Sequence, residues 1–273
     1  MTQRIAFVGG GHMATSLIGG LRARGVRGDS MVVADPDPAQ RERLKREYGV
    51  GVTTDGVVAV TRADVVVLAV KPQQMADATR PLAPVVAEHR PLVISVAAGI
   101  RLQDLARWLG SDAAVVRTMP NRPALIGAGV TALCATGNVD VAARRAAERI
   151  LEACGATVWV EDEALMDVVT AVSGSGPAYF FLLVEALEDA AVALGMERGT
   201  ARLLAVETAR GAGRMAAEST ASPATLRAQV TSAGGTTAAA LVVLESAGVR
   251  AIFARAVEAA TRRSAELARD FGA

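Results

Sequence analysis

Cysteine, histidine and aromatic side chains are all scarce in this chain. Cys134 and Cys154 are the only cysteines. Two thiols make no disulfide framework, so a reducing compartment and small buried hydrophobes are expected. His12 and His89, the only histidines, lie far apart in sequence. No His/Cys metal site is therefore expected. The formal net charge is +1, which speaks against nucleic acid or an anionic membrane surface as a partner. No apolar run reaches about 18 residues without a charge or a glycine break. The first strand is expected almost at Met1, and no signal peptide is expected before it. A soluble cytoplasmic protein is the expectation. Aromatics are 3% of the chain while apolar residues are 51% and charged residues 21%. The core must therefore be Ala, Val and Leu, as suits parallel strands and close helices, and disorder is not expected.

The 273 residues are organised around one stretch, Ile5-Ala6-Phe7-Val8-Gly9-Gly10-Gly11-His12-Met13-Ala14. Four apolar residues run into glycines, and a helical pattern follows. Gly9, Gly11 and Ala14 match the dinucleotide fingerprint G-x-G-x-x-G/A. The first allows the turn, the second lets backbone approach a pyrophosphate, and the third lets the helix pack closely on the strand. The helix N-terminus offers free N–H groups and partial positive charge to phosphates. The motif by itself is also compatible with any glycine-rich turn opening an α/β domain.

Met13, Leu17, Ile18 and Leu21 share a helical face that Gly25 ends. Met31-Val32-Val33-Ala34 reads as a strand buried on both faces. Asp35 follows, where the fold places the side chain that meets the adenosine ribose; a plain turn aspartate beside Pro36 is the other reading. Pro38 to Tyr48 is a charged surface helix, with Arg41 and Arg43 within reach of an adenosine 2′-phosphate. Val65 to Ala69 is a further strand. Lys71 sits at its exit, outside the carboxyl end where such sheets bind ligands, or is an ordinary surface lysine. Leu92 to Val96 ends in Ala97-Ala98-Gly99, small enough for a cofactor to lie against. Ala114 to Met119 ends in Pro120-Asn121-Arg122-Pro123, and Val130 to Cys134 and Thr157 to Val160 complete the half. Strand and helix alternate throughout, the pattern of a parallel sheet covered on both faces.

From Glu161 onward no strand is predicted. Ser173-Gly174-Ser175-Gly176-Pro177 interrupts two helices, with Ser175 as N-cap and Pro177 in the first turn. Ala178 to Leu194 is nearly all apolar on its early turns, so a buried helix and a subunit interface are expected. Val230-Thr231-Ser232-Ala233-Gly234-Gly235-Thr236-Thr237 then opens a helix reaching Ala247. Free N–H groups there suit a carboxylate, or mark an ordinary helix start. The fold class is thus α/β, with a Rossmann dinucleotide-binding domain over residues 1–160 and an all-α domain over 161–273.

Across nearly its whole length the sequence resembles the Δ1-pyrroline-5-carboxylate reductase family. The resemblance rests on Gly-Gly-Gly-His-Met-Ala at 9–14, Ala69-Val70-Lys71-Pro72-Gln73, Ser95 to Gly99, Met119-Pro120-Asn121, Ser173 to Tyr179, Glu185-Ala186-Leu187 and Thr231 to Thr237. It implies hydride transfer from NADH or NADPH to the C=N carbon of 1-pyrroline-5-carboxylate, giving proline. It implies a helical domain that interlocks with a second subunit, as a homodimer or a ring of dimers. It also implies cofactor contacts from Gly9, Gly11, His12, Met13, Ala14, Asp35, Ala69, Val70, Lys71, Pro72, Ala97 and Asn121. The substrate would be held by Ser232, Gly234, Gly235, Thr236 and Thr237, with the carboxylate on the glycine pair and the Thr237 hydroxyl near the imine nitrogen.

Such an imine is readily protonated, and an iminium carbon accepts hydride without a strong protein acid. Positioning and electrostatics suffice, in keeping with a chain without a catalytic triad. Three residues depart from the family pattern: His12 for asparagine, Arg122 for threonine and Ala233 for proline. A carboxylate at Asp35 favours NADH and the nearby arginines favour NADPH. Two other activities compete: reduction of a different cyclic imine, and nucleotide sensing without turnover. A hydroxyacid dehydrogenase would need a lysine in the second domain, whereas Lys45 and Lys71, the only lysines, both lie in the first half.

Overall fold

The computed structural model describes residues 3–271. Eight strands form one sheet in the order β3-β2-β1-β4-β5-β6-β7-β8. They are β1 (Ile5–Val8), β2 (Met31–Ala34), β3 (Gly51–Thr53), β4 (Val65–Leu68), β5 (Leu92–Ser95), β6 (Val115–Met119), β7 (Gly129–Ala135) and β8 (Gly155–Trp159). Between and after them run α1 (His12–Ala23), α2 (Pro38–Tyr48), α3 (Gly56–Val60), α4 (Met75–Thr79), α5 (Ala83–His89), α6 (Leu102–Leu109), α7 (Val141–Leu151) and α8 (Met166–Val169).

β1 and β4 are buried at every position, and they pair in parallel, Ile5 opposite Val65 and Val8 opposite Leu68. Strands covered on both faces read as unbroken β-branched and aliphatic runs, which is why no alternation was present to find. One core packs Phe7, Leu17, Ile18, Leu44 and Val67 on one face of the sheet. The other packs Leu68, Met75, Leu105 and Trp108 on the opposite face. The sheet is not wholly parallel as the pattern predicts: β7 runs antiparallel to β6, with Met119 opposite Ala132. Residues 120–128 between them are too few for a crossover, which takes about a dozen residues or more.

The chain divides into two compact units, residues 1–174 with 260–273, and residues 175–259. This division falls past Glu161, where the sequence pattern changes. The reason lies in a polar and apolar anchorage within the first unit. Met166 is fully buried against Ala132 and Cys134. Asp167 accepts a hydrogen bond from the Ser264 hydroxyl at 2.7 Å. Glu163 accepts the Leu102 N–H at 2.8 Å and pairs with the buried guanidinium of Arg117 at 2.7 Å. Removing one partner of a buried pair leaves an uncompensated charge, at about 3 kcal/mol or more. Glu163→Leu is therefore expected to lower the urea midpoint by an amount of that order, and Arg117→Met added to it to restore part of the loss. Equal midpoints for parent and Glu163→Leu would show that the pair holds nothing.

Both cysteines are buried. Burial pushes the Cys154 thiol up to about 11. Burial, with the charge of Glu163 behind it, also raises Cys134. The thiolate is the reactive form, so neither is expected to react with Ellman's reagent at pH 8 until the chain is unfolded in urea. Rapid labelling of the native chain would contradict this.

The second unit contains α9 (Gly176–Ala193), α10 (Arg198–Glu218), α11 (Pro223–Gln229), α12 (Thr236–Ser246) and the start of α13 (Val249–Phe271), whose last turns from Ala260 belong to the first unit. The sequence predicts that Ser173 to Pro177 interrupts two helices. A π-helical turn over Thr170–Gly174 follows α8, and Ser175 stands between it and the start of α9. The hydroxyls of Thr170 and Ser173 donate to the carbonyls of Met166 and Val169, at 2.9 Å each, and so satisfy oxygens that a wider turn would leave bare. Ser175 is the N-cap residue but makes no side-chain capping bond, and Pro177 sits in the first turn. In the single chain α9 is exposed rather than buried, with Phe180 and Phe181 at 68% and 66%.

Candidate active site

A cavity of about 930 Å³ opens at the carboxyl ends of β1, β2, β3 and β4, lined among others by Gly9, Gly11, Asp35, Gln40, Asp55, Ala69, Val70 and Lys71. Its place follows from the strand order. The chain leaves β1 for β2 on one side and later returns to β4 on the other, so the crevice beside β1 is the topological switch point where open α/β sheets bind ligands.

The glycine turn is built by close approach. Gly9 has φ +96, and a Cβ there would lie 2.7 Å from the Ala69 carbonyl oxygen and 2.9 Å from Val70 Cγ1. The Gly9 N–H donates to the Ala34 carbonyl, and the Ala69 N–H to the Val8 carbonyl, each at 2.8 Å. These bonds knit the exits of β1, β2 and β4. Gly11 is the N-cap of α1 without a side-chain cap, and nothing lies within 4 Å of where its Cβ would be. The wall is therefore open beside free N–H groups at a helix N-terminus, an arrangement that accepts a diphosphate. Ala14 is fully buried and seats the helix on the sheet. His12 begins α1 and is exposed, while Met13 is half-buried.

Asp35 fixes this turn from the side. One carboxylate oxygen accepts the Gly10 N–H at 2.7 Å and the other accepts the Asp37 N–H at 2.8 Å. The Gln40 side chain donates to the Gly10 carbonyl, so both backbone polar groups of Gly10 are held. Lys71 stands exposed at the exit of β4, before the short turn that Pro72 opens.

Other residues singled out in the sequence are placed differently. Ala97 is buried in the core of one sheet face. Asn121 donates to the Ser173 carbonyl at 3.1 Å and accepts the Val130 N–H at 3.0 Å, so its amide braces the β6 exit at both ends. His12, Met13, Ala14, Pro72, Ala97 and Asn121 are absent from the cavity wall, whereas Asp37, Thr54, Asp55, Gln74 and Asp77 are on it. Asp37 and Asp55 cap the helices α2 and α3, and a cap carries no sign in sequence that it also faces a cavity.

The loop before α12 lies in the second unit. Gly234 has φ +69, and the Gly235 N–H donates to the Ser232 carbonyl at 3.1 Å, closing a turn. Gly235 is the N-cap of α12 without a side-chain cap. Among the described residues no acceptor meets the N–H groups of Thr236 or Thr237. The Thr237 side chain is half-buried. The loop thus presents unengaged backbone donors beside a hydroxyl.

A family model described as pyrroline-5-carboxylate reductase dimerisation matches residues 163–267. A second, described as NADP oxidoreductase coenzyme F420-dependent, matches residues 4–99. The pyrroline-5-carboxylate reductase of Pseudomonas aeruginosa is 48% identical over 99% of both chains. The chain belongs to the pyrroline-5-carboxylate reductase family. It is an NAD(P)-dependent oxidoreductase of proline biosynthesis, as its relatives are. The pyrroline-5-carboxylate reductase of Synechocystis is 41% identical over 98% of this chain and 99% of its own length. Among solved structures, that of a family member from Coxiella burnetii superposes with a TM-score of 0.95 at 42% identity, covering 98% of this chain and 99% of the other. The Plasmodium falciparum reductase, solved with NADP bound, gives 0.83 at 28% identity, with 97% and 98% covered. The expected fold, a Rossmann domain followed by a helical dimerisation domain, is the one observed.

Proposed function

We propose that this chain reduces 1-pyrroline-5-carboxylate with its nucleotide on the glycine turn of Gly9 to Ala14 and its imine at the loop of Thr231 to Thr237. The observation that carries the reading is the unengaged start of α12, with free N–H groups at Thr236 and Thr237 beside a hydroxyl. A substrate carboxylate completes the missing acceptors. Because Gly235 uses its own N–H to close the turn, the carboxylate falls to the donors that follow it, and Gly234 and Gly235 serve by giving backbone access. Ser232 lies against the turn it closes.

The cradle at Gly9 and Gly11 fits a dinucleotide, since a Cβ at the first would collide with backbone and the second opens onto free donors. When bound, the reduced nicotinamide supplies the hydride. The imine carbon gains that hydride, the nitrogen carries a proton, and the C=N bond becomes the C–N bond of proline. The Thr237 hydroxyl is too weak an acid to protonate the imine. It orients the nitrogen and relays a proton. Lys71, Ala69 and Val70 border the nucleotide. Pro72 opens the turn behind Lys71, Ala97 packs in the core of one sheet face, and Asn121 braces the β6 exit. The chain works in the cytoplasm as a homo-oligomer, a reading supported by two unpaired cysteines and by the dimerisation model over residues 163–267. The helical stretch Glu163–Ala193 is long and apolar enough to cross a membrane, and only 11% of its most apolar window is buried within the chain. A subunit interface accounts for that exposure.

Incubation with 1-pyrroline-5-carboxylate and each reduced nucleotide is expected to give proline in step with loss of nicotinamide absorbance. Nucleotide binding without turnover would replace this reading by a sensor, and turnover with other imines alone would move the substrate. Thr237→Ala is expected to lower kcat/KM for the imine by about tenfold or more with nucleotide Kd unchanged. An unaltered kcat/KM would remove Thr237 from the site.

A further inference from the structure

We infer that the adenosine end of this cavity selects a free ribose 2′-hydroxyl, so that NADH is the preferred nucleotide and a 2′-phosphate is discriminated against. The inference rests on the nucleotide site proposed above.

The cavity wall carries four carboxylates, Asp35, Asp37, Asp55 and Asp77, against one cation, Lys71. The first two stand at the exit of β2, where the fold seats the adenosine ribose. Asp35 cannot readily turn aside. Its two oxygens hold the N–H groups of Gly10 and Asp37, and a rotation would unseat the glycine turn itself. Each oxygen keeps a lone pair that can accept from a ribose hydroxyl. A phosphate at the same place, nearly a dianion at neutral pH, meets a fixed like charge.

The arginines of α2 are the groups able to reverse this, and each is already engaged by the protein. Arg41 donates through one guanidinium nitrogen to the carbonyls of Asp35 and Pro36, at 2.6 and 2.9 Å. It staples the backbone of the turn. Arg43 donates to the Thr15 hydroxyl at 3.1 Å. Neither lines the cavity. The Plasmodium falciparum relative that holds NADP is 28% identical, distant enough for the residues around the ribose to differ.

Calorimetric titration of the intact protein with NAD+ and NADP+ tests this without turnover. NAD+ is expected to bind at least about tenfold more tightly, the effect of one close like charge in a partly solvated site. Asp35→Ser is expected to weaken NAD+, because it also loosens Gly10, and to move the NADP+/NAD+ affinity ratio by about tenfold toward NADP+. Asp55→Asn leaves Gly10 untouched and keeps a capping oxygen. It is expected to move the ratio the same way by less. Arg41→Ala is expected to leave the ratio where it was. NADP+ binding as tightly as NAD+ in the parent, or a selective loss of NADP+ in Arg41→Ala, would overturn the inference while leaving the site in place. Failure of both nucleotides to bind would overturn the site and the inference together.

Discussion

Gly9→Ala is expected to raise the Kd for nucleotide by about a hundredfold, the scale of effect that a displacement near 1 Å produces at a site built on positioning. Two independent constraints act at this residue. Its φ of +96 lies where L side chains are strained. The added methyl would also stand 2.7 Å from one backbone oxygen and 2.8 Å from the carbon that bears it. Neither neighbour is the end of a flexible side chain, so relief requires β1 and β4 to part at their carboxyl ends. That movement stretches the bonds from Gly9 to Ala34 and from Ala69 to Val8, and it lifts the free N–H groups at the start of α1 away from the phosphates. The effect is on nucleotide and not on imine, because the loop proposed to hold the imine lies in the other unit. Calorimetry with the nucleotide, set beside the KM for the imine at saturating nucleotide, separates the two. Unchanged nucleotide Kd in Gly9→Ala would mean that the diphosphate lies elsewhere.

Some of this was legible in the chain because the physics is local. Val65 to Leu68 and Ile5 to Val8 read as strands since burial on both faces leaves no polar position. The glycine turn reads as a turn since few residues tolerate that backbone. The segment from Met75 to His89 left no comparable trace: α4 and α5 are five and seven residues long, too short to build a periodic face. Asn121 illustrates a different limit. The family resemblance makes it a cofactor contact, while the bonds that hold both ends of its amide leave no trace in sequence, because only the fold brings Ser173 and Val130 to it. The four aspartates of the cavity are the clearest case. Asp35 alone stands out in the sequence; Asp37 and Asp55 read as ordinary helix caps and Asp77 as a surface charge, and the four become one wall only when the exits of β2, β3 and β4 are laid side by side.

The helical unit carries the other large expected effect. Replacing Phe180 and Phe181 together by serine is expected to convert an oligomer, at least twice the chain mass of 28.1 kDa, into monomer or into aggregate, with loss of imine reduction. α9 is apolar around most of its circumference, and α10 is the element it chiefly packs against. Leu182 and Leu183 stay exposed at 64% and 51%, and Val242 and Val243 on α12 at 68% and 66%. Fully burying a side chain of this size is worth about 1.5–3 kcal/mol, so a face of this extent is stable in water only when covered. A second copy is the cover that the dimerisation model over residues 163–267 supports. The stretch Glu163–Ala193 that ends in α9 meets the length and hydropathy of a membrane span, and the substitution tells the two apart. A chain that is oligomeric and detergent-free in solution, and that falls to lower mass on losing two phenyl rings, uses α9 to hold its partner. Light scattering across a concentration series reads the mass directly, and a fully active monomeric parent would end the proposal.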